Sequence, residues 1–129
     1  MSLQQSRDKT HLLLQQFEFS FEELESIDSL TSKFSRTSDT YFHKVLRSIW
    51  MLLREDTVPL IDLLNRLEKL MIIVSAEELL QMRHIRNQIS HEYLPEAVPE
   101  LAKEVVVMTT LLQKNIEQTE RFLSQLAWL

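Results

Sequence analysis

The stretch VSAEELLQMRHIRNQISHEY, Val74–Tyr93, decides the class of fold. Ser75 and Glu78 have the spacing of a capping box, in which a hydroxyl accepts the third amide of a helix and a carboxylate reaches back to the first. Val74 and Leu79 flank the pair as a hydrophobic staple. No proline follows until Pro95, so the pattern predicts a helix from about Ala76 to Glu92.

Working outward, Leu60, Leu63, Leu64, Leu67, Leu70 and Met71 recur at helical spacing, with Asp62, Arg66, Glu68 and Lys69 mainly on the other side. Asp56 and Thr57 are expected to cap that helix. Before it, Leu30, Phe34, Tyr41, Val45, Ile49 and Leu52 fall near one face, interrupted by Ser38, and predict a helix ending around Glu55. A second box and staple, Phe19 to Leu24 around Ser20 and Glu23, either restarts a helix or is overridden inside a longer one that begins near Leu3. Leu3 to Phe17 is only weakly amphipathic. Downstream, Leu101, Val105, Met108, Leu112, Ile116, Thr119, Phe122 and Leu126 alternate steps of three and four, which predicts a helix from about Pro99 to Leu126. Pro59, Pro95 and Pro99 punctuate these segments. Met51, Met71, Met82 and Met108 are expected to fill gaps in the core, and Trp50 and Trp128 to finish a core or an interface.

None of the 129 residues is glycine. Phosphate-cradling loops and tight hairpins need glycine where backbone approaches a ligand or φ is positive, so P-loop, dinucleotide-binding and hairpin-rich β folds are disfavoured. With 44% hydrophobic residues, the chain predicts an all-α, four- to five-helix up-and-down bundle, a single domain over residues 1–129. More apolar surface than one small bundle hides points to a homodimer. No apolar run is long enough to span a membrane. The absence of cysteine excludes disulfides and thiol nucleophiles and suits a reducing compartment, so a cytoplasmic location is expected.

The net charge is -5, which opposes sequence-blind nucleic-acid binding, and no DNA partner is expected. Charge is unevenly spread, however. Residues 18–28 carry five carboxylates, whereas Lys33, Arg36, Lys44, Arg47 and Arg54 face Asp39 alone over residues 33–54. His43 adds to that basic run at lower pH. Lys44 and Arg47, with Arg83 and His84, are the candidate RNA-binding face.

The end of the Val74–Tyr93 helix concentrates Arg83, His84, Arg86, Asn87, Ser90, His91 and Tyr93. Arginine and histidine without an acidic dyad or thiol suit phosphate chemistry. An imidazole titrates near neutrality and can take a proton from a ribose 2′-hydroxyl, while a guanidinium offsets charge building on phosphorus. Asn87 and Tyr93 are supporting groups. No metal and no cofactor are called for: His84 and His91 share a face but stand about 10.5 Å apart, too far for one ion. Arg86 lies about 140° round the helix from His91, so this helix alone does not easily enclose a phosphate, and two copies crossing at a two-fold interface would.

Arg86-Asn87-Gln88-Ile89-Ser90-His91-Glu92-Tyr93 resembles the Arg-Asn-x3-His-x-Tyr signature of HEPN-domain proteins of the HepT type. Its place at the end of the penultimate long helix of a small all-α chain agrees. The resemblance implies a dimeric, metal-independent RNase toxin paired with a minimal nucleotidyltransferase (MNT) antitoxin. Arg86 and His91 would be catalytic, Asn87 supporting, and Tyr93 the residue modified by adenylylation. A non-catalytic, substrate-binding partner of the nucleotidyltransferase is the alternative, and a helical scaffold without a nucleic-acid role is a third class.

Overall fold

The computed structural model describes residues 2–14, 20–53, 58–91 and 98–126. Every regular element among them is helical: α1 (Leu3–Leu13), α2 (Phe21–Thr40), a π-helical segment (Tyr41–Leu46), α3 (Arg47–Leu52), α4 (Leu60–Lys69), α5 (Ala76–His91) and α6 (Val98–Leu126). The expectations placed on Phe17, Phe19, Glu55, Asp56, Thr57, Glu92, Tyr93, Pro95 and Trp128 lie outside the described residues. Helices α2, α5 and α6 pack on one another, α1 lies against α2 and α6, and α4 against α5. Phe34, Leu64, Leu67, Ile72, Leu79, Met82 and Leu112 are fully buried where these helices meet. Each such side chain contributes about 1.5–3 kcal/mol by leaving water.

The caps explain the boundaries. A helix does restart at Ser20: its hydroxyl accepts the Glu23 amide at 3.2 Å and its own amide donates to the Glu23 carboxylate at 2.8 Å. Ser2 and Gln5 form the same box at the start of α1, a Ser-x-x-Gln signal that the weak apolar pattern there does not reveal. Helix α4 begins at Leu60 with Pro59 in the N-cap position, which makes no side-chain cap.

The long helical run from Phe21 is not uniform. Leu30, Phe34, Ser38, Phe42, Leu46 and Trp50 are all buried at steps of four. Each such step overshoots a 3.6-residue turn by about 40°, which would wind the stripe off the core before Trp50. The wider π segment takes up the excess without a break, since Thr40, Tyr41, Leu46 and Arg47 all keep right-handed helical angles. The predicted face continues past this segment to Ile49, which is buried with Trp50, and fails at Leu52, which is 77% exposed; Met51, expected in the core, is 70% exposed.

Helix α4 ends in a Schellman motif. The Met71 amide donates to the Glu68 carbonyl at 3.0 Å and the Ile72 amide to the Leu67 carbonyl at 2.9 Å. Met71 takes φ 63° to allow this, in a position that favours glycine in a chain that has none. Its side chain is consequently 69% exposed rather than in the core, whereas Met82 is fully buried as expected.

Candidate functional site

Helix α5 turns Met82 and Ile85 into the core and leaves Arg83, Asn87, Ser90 and His91 exposed, with Arg86 half-buried beside them. Facing this polar side are Ser38 and Asp39 at the end of α2 and Phe42 and His43 in the π segment. Between the two walls is a cavity of about 250 Å³. Eight of its nine lining residues are polar, Phe42 being the exception.

Arg86 is the most constrained of these groups. Its Nε donates to Asp39 Oδ1 at 3.0 Å and one Nη to Asp39 Oδ2 at 2.8 Å, a bidentate pair, and its other Nη donates to Ser90 Oγ. A guanidinium carries five N–H groups; the three used here fix its plane, and the other two have no partner among the described residues. The hydrogen bond from Arg86 holds the Asp39 carboxyl below its ordinary range, with smaller contributions from the charges of His43 and Arg83. Asp39 in turn raises the pKa of Arg86.

The remaining sequence-derived candidates divide. Arg86, Asn87 and His91 line one cavity. Arg83 lines it too and, with His43 and Arg47, also lines an adjoining cavity of about 130 Å³ floored by Leu60, Leu63 and Leu64 of α4. Lys44 is exposed on the π segment. His84 points elsewhere, into an apolar groove between α5 and α6 beside Leu80, Val107 and Met108. It is not part of the Arg86 cavity. Tyr93 lies outside the described residues.

The large angle between Arg86 and His91 on one helix predicts a second copy as the other wall. Within one chain, Asp39, Phe42 and His43 line the facing wall. In the sequence Asp39 reads only as a lone acid in a basic run. The signal that could have found it is its spacing: Asp39 and His43 are four residues apart on one helix face, next to the buried Ser38. The Ser38 hydroxyl is buried, borders the cavity and has no hydrogen-bond partner among the described residues.

No group of three or more His, Cys, Asp or Glu among the described residues is placed to hold a metal ion, and no described helix is long and apolar enough to cross a membrane. Compared with protein-family models, curated proteins and solved structures, the chain matches none.

Proposed function

We propose that this chain is a metal-independent endoribonuclease, the toxin of a HEPN/MNT-type toxin–antitoxin pair. The observation that carries this is the convergence of Arg86, Asn87 and His91 on one polar cavity of about 250 Å³, room for a phosphodiester but not for a folded partner. The two spare N–H groups of Arg86 bind non-bridging phosphate oxygens and offset the charge that builds on them. His91 takes the proton of the ribose 2′-hydroxyl; that oxygen bonds to phosphorus as the bond to the 5′-oxygen breaks, leaving a 2′,3′-cyclic phosphate and a 5′-hydroxyl. Asn87 orients the phosphate or the imidazole. Arg83 and Arg47 extend a basic track from the cavity along the neighbouring one, as an RNA strand requires.

The homodimer, a nucleotidyltransferase antitoxin that adenylylates Tyr93, and the cytoplasmic setting belong to the same proposal. Exposed Met51, Leu52, Ile61 and Val107 offer apolar area for protein contacts. The test is RNA cleavage in EDTA. Arg86→Ala and His91→Ala are each expected to lower it about 10²–10⁴-fold. Cleavage that requires magnesium, or that survives either substitution, would remove the assignment. One observation favours a second function, a non-catalytic partner of the nucleotidyltransferase: Arg86 is already paired with Asp39, which weakens its claim on phosphate. A pure protein that binds the nucleotidyltransferase but leaves RNA intact would identify that role.

A further inference from the structure

We propose that His43 is the second proton-transfer group of this site, the general acid that protonates the departing 5′-oxygen while His91 acts as the base. The assignment rests on the ribonuclease function proposed above and adds a residue to it. Transfer at phosphorus is in line, so the entering 2′-oxygen and the leaving 5′-oxygen are on opposite sides, and one imidazole fixed on one wall serves only one of them. His91 comes from the last residue of α5 and His43 from the facing π segment, and both line the same cavity. That cavity, of about 250 Å³, has room for one phosphodiester between the two walls.

His43 follows Asp39 by one helical turn on the same wall of the cavity. From α5 it is faced by Arg83, Arg86 and His91, and from α3 by Arg47; the guanidinium of Arg86 is already balanced by Asp39, and α4 contributes only leucines to the adjoining cavity. Position adds a second reason. His43 lines both cavities, so it borders the point where a strand would pass from the phosphate pocket onto Arg83 and Arg47, which is where the leaving nucleotide must lie.

Protons balance in the cycle. The 2′-hydroxyl proton passes to His91 as the O2′–P bond forms; the His43 imidazolium gives its proton to O5′ as the P–O5′ bond breaks. Exchange with water then restores both imidazoles. No oxidant, metal or other reactant enters.

The test compares two substrates of the full-length protein: the dinucleoside phosphate UpA, whose alkoxide leaving group needs a proton, and uridine 3′-(4-nitrophenyl phosphate), whose phenolate does not. His43→Ala and His43→Gln are expected to lower turnover of UpA about 10²–10⁴-fold and to leave the aryl ester within about threefold of wild type. His91→Ala is expected to lower both. Because His43 is exposed, both variants should melt with the wild type. An equal loss on the two substrates, or an undiminished rate on UpA, overturns the general-acid role while leaving the ribonuclease function standing. A wild-type protein that cleaves neither substrate removes both.

Discussion

Two clusters of polar side chains hang on opposite faces of the same π segment, and they behave differently. On the α6 side, Asn115 is fully buried and every hydrogen-bonding group is used. Its Oδ1 accepts the amides of Val74 and Ser75 at 2.9 and 3.2 Å, and its Nδ2 donates to Glu78 Oε2 and the Leu111 carbonyl at 3.0 and 2.9 Å. Beside it the Tyr41 hydroxyl and Thr119 Oγ1 share a hydrogen bond of 2.7 Å, and Thr119 Oγ1 lies 2.7 Å from the Ile72 carbonyl oxygen. On the α5 side, two N–H groups of Arg86 and the Ser38 hydroxyl have no partner among the described residues, and the imidazoles are open to water. A saturated cluster holds the fold; unsaturated donors around an opening are disposed for a ligand.

The sharpest way to break this contrast is to remove Asn115. Asn115→Ala leaves two amides and the Glu78 carboxylate short of partners in a buried region. The expected loss is about 3 kcal/mol, or roughly 10 °C in Tm, measured by thermal melting. His91→Ala should change Tm by less than about 2 °C. Equal losses in the two variants would erase the distinction between the clusters.

Tyr41 carries the next effect, and it depends on pH. Burial pushes its phenol up to about 12, against a partial offset from Thr119. The folded state thus holds this proton more tightly than the unfolded state. The resulting stability is complete below pH 10 and is lost as pH rises toward 12, by about 2–3 kcal/mol. Urea melts at pH 9 and 11.5 should show a steeper decline for wild type than for Tyr41→Phe. Parallel declines would mean the phenol reaches water.

At the edge of the saturated cluster, Met71 holds a left-handed conformation that costs a non-glycine residue about 1 kcal/mol. Met71→Gly removes that strain with little lost burial, and is expected to gain up to about 1 kcal/mol in urea unfolding. A loss would show that the exposed methionine makes contacts that outweigh the strain.

The contrast also explains what could be seen in the sequence. Helices α4, α5 and α6 were legible because their apolar residues recur at α-helical spacing and Ser75 and Glu78 mark a start. The α5 signature residues were legible because they are neighbours in the chain. Asn115 was not: it stands 37 residues from Glu78 and 40 from Ser75, and it takes the half of the capping box that Glu78 would otherwise close on Ser75. Asp39 and His43 were hidden for a related reason. Their four-residue spacing puts Asp39 and His43 on one face, but only the phase reset by the π segment turns that face toward α5.

The smallest expected effect on stability falls on Asp39, and it separates two roles for the ion pair. Its partners are 26% and 43% exposed at the side chain, so solvent screening limits the pair to about 1 kcal/mol or less even with bidentate geometry. Because the Asp39 carboxyl is held below its ordinary range, that contribution is present above the ordinary carboxylate pKa and is lost as pH falls through the lower value of the folded state. The difference in stability between wild type and Asp39→Asn should therefore shrink in acid. For RNA cleavage the two roles have opposite signs. If Asp39 aims the guanidinium, Asp39→Asn lowers kcat about tenfold or more with KM little changed, since the phosphate is still bound but no longer met by an oriented donor. If Asp39 instead competes with RNA for Arg86, the same substitution lowers KM and raises kcat/KM. The three fixed N–H bonds, which leave two donors without a partner among the described residues, make the first outcome the expected one.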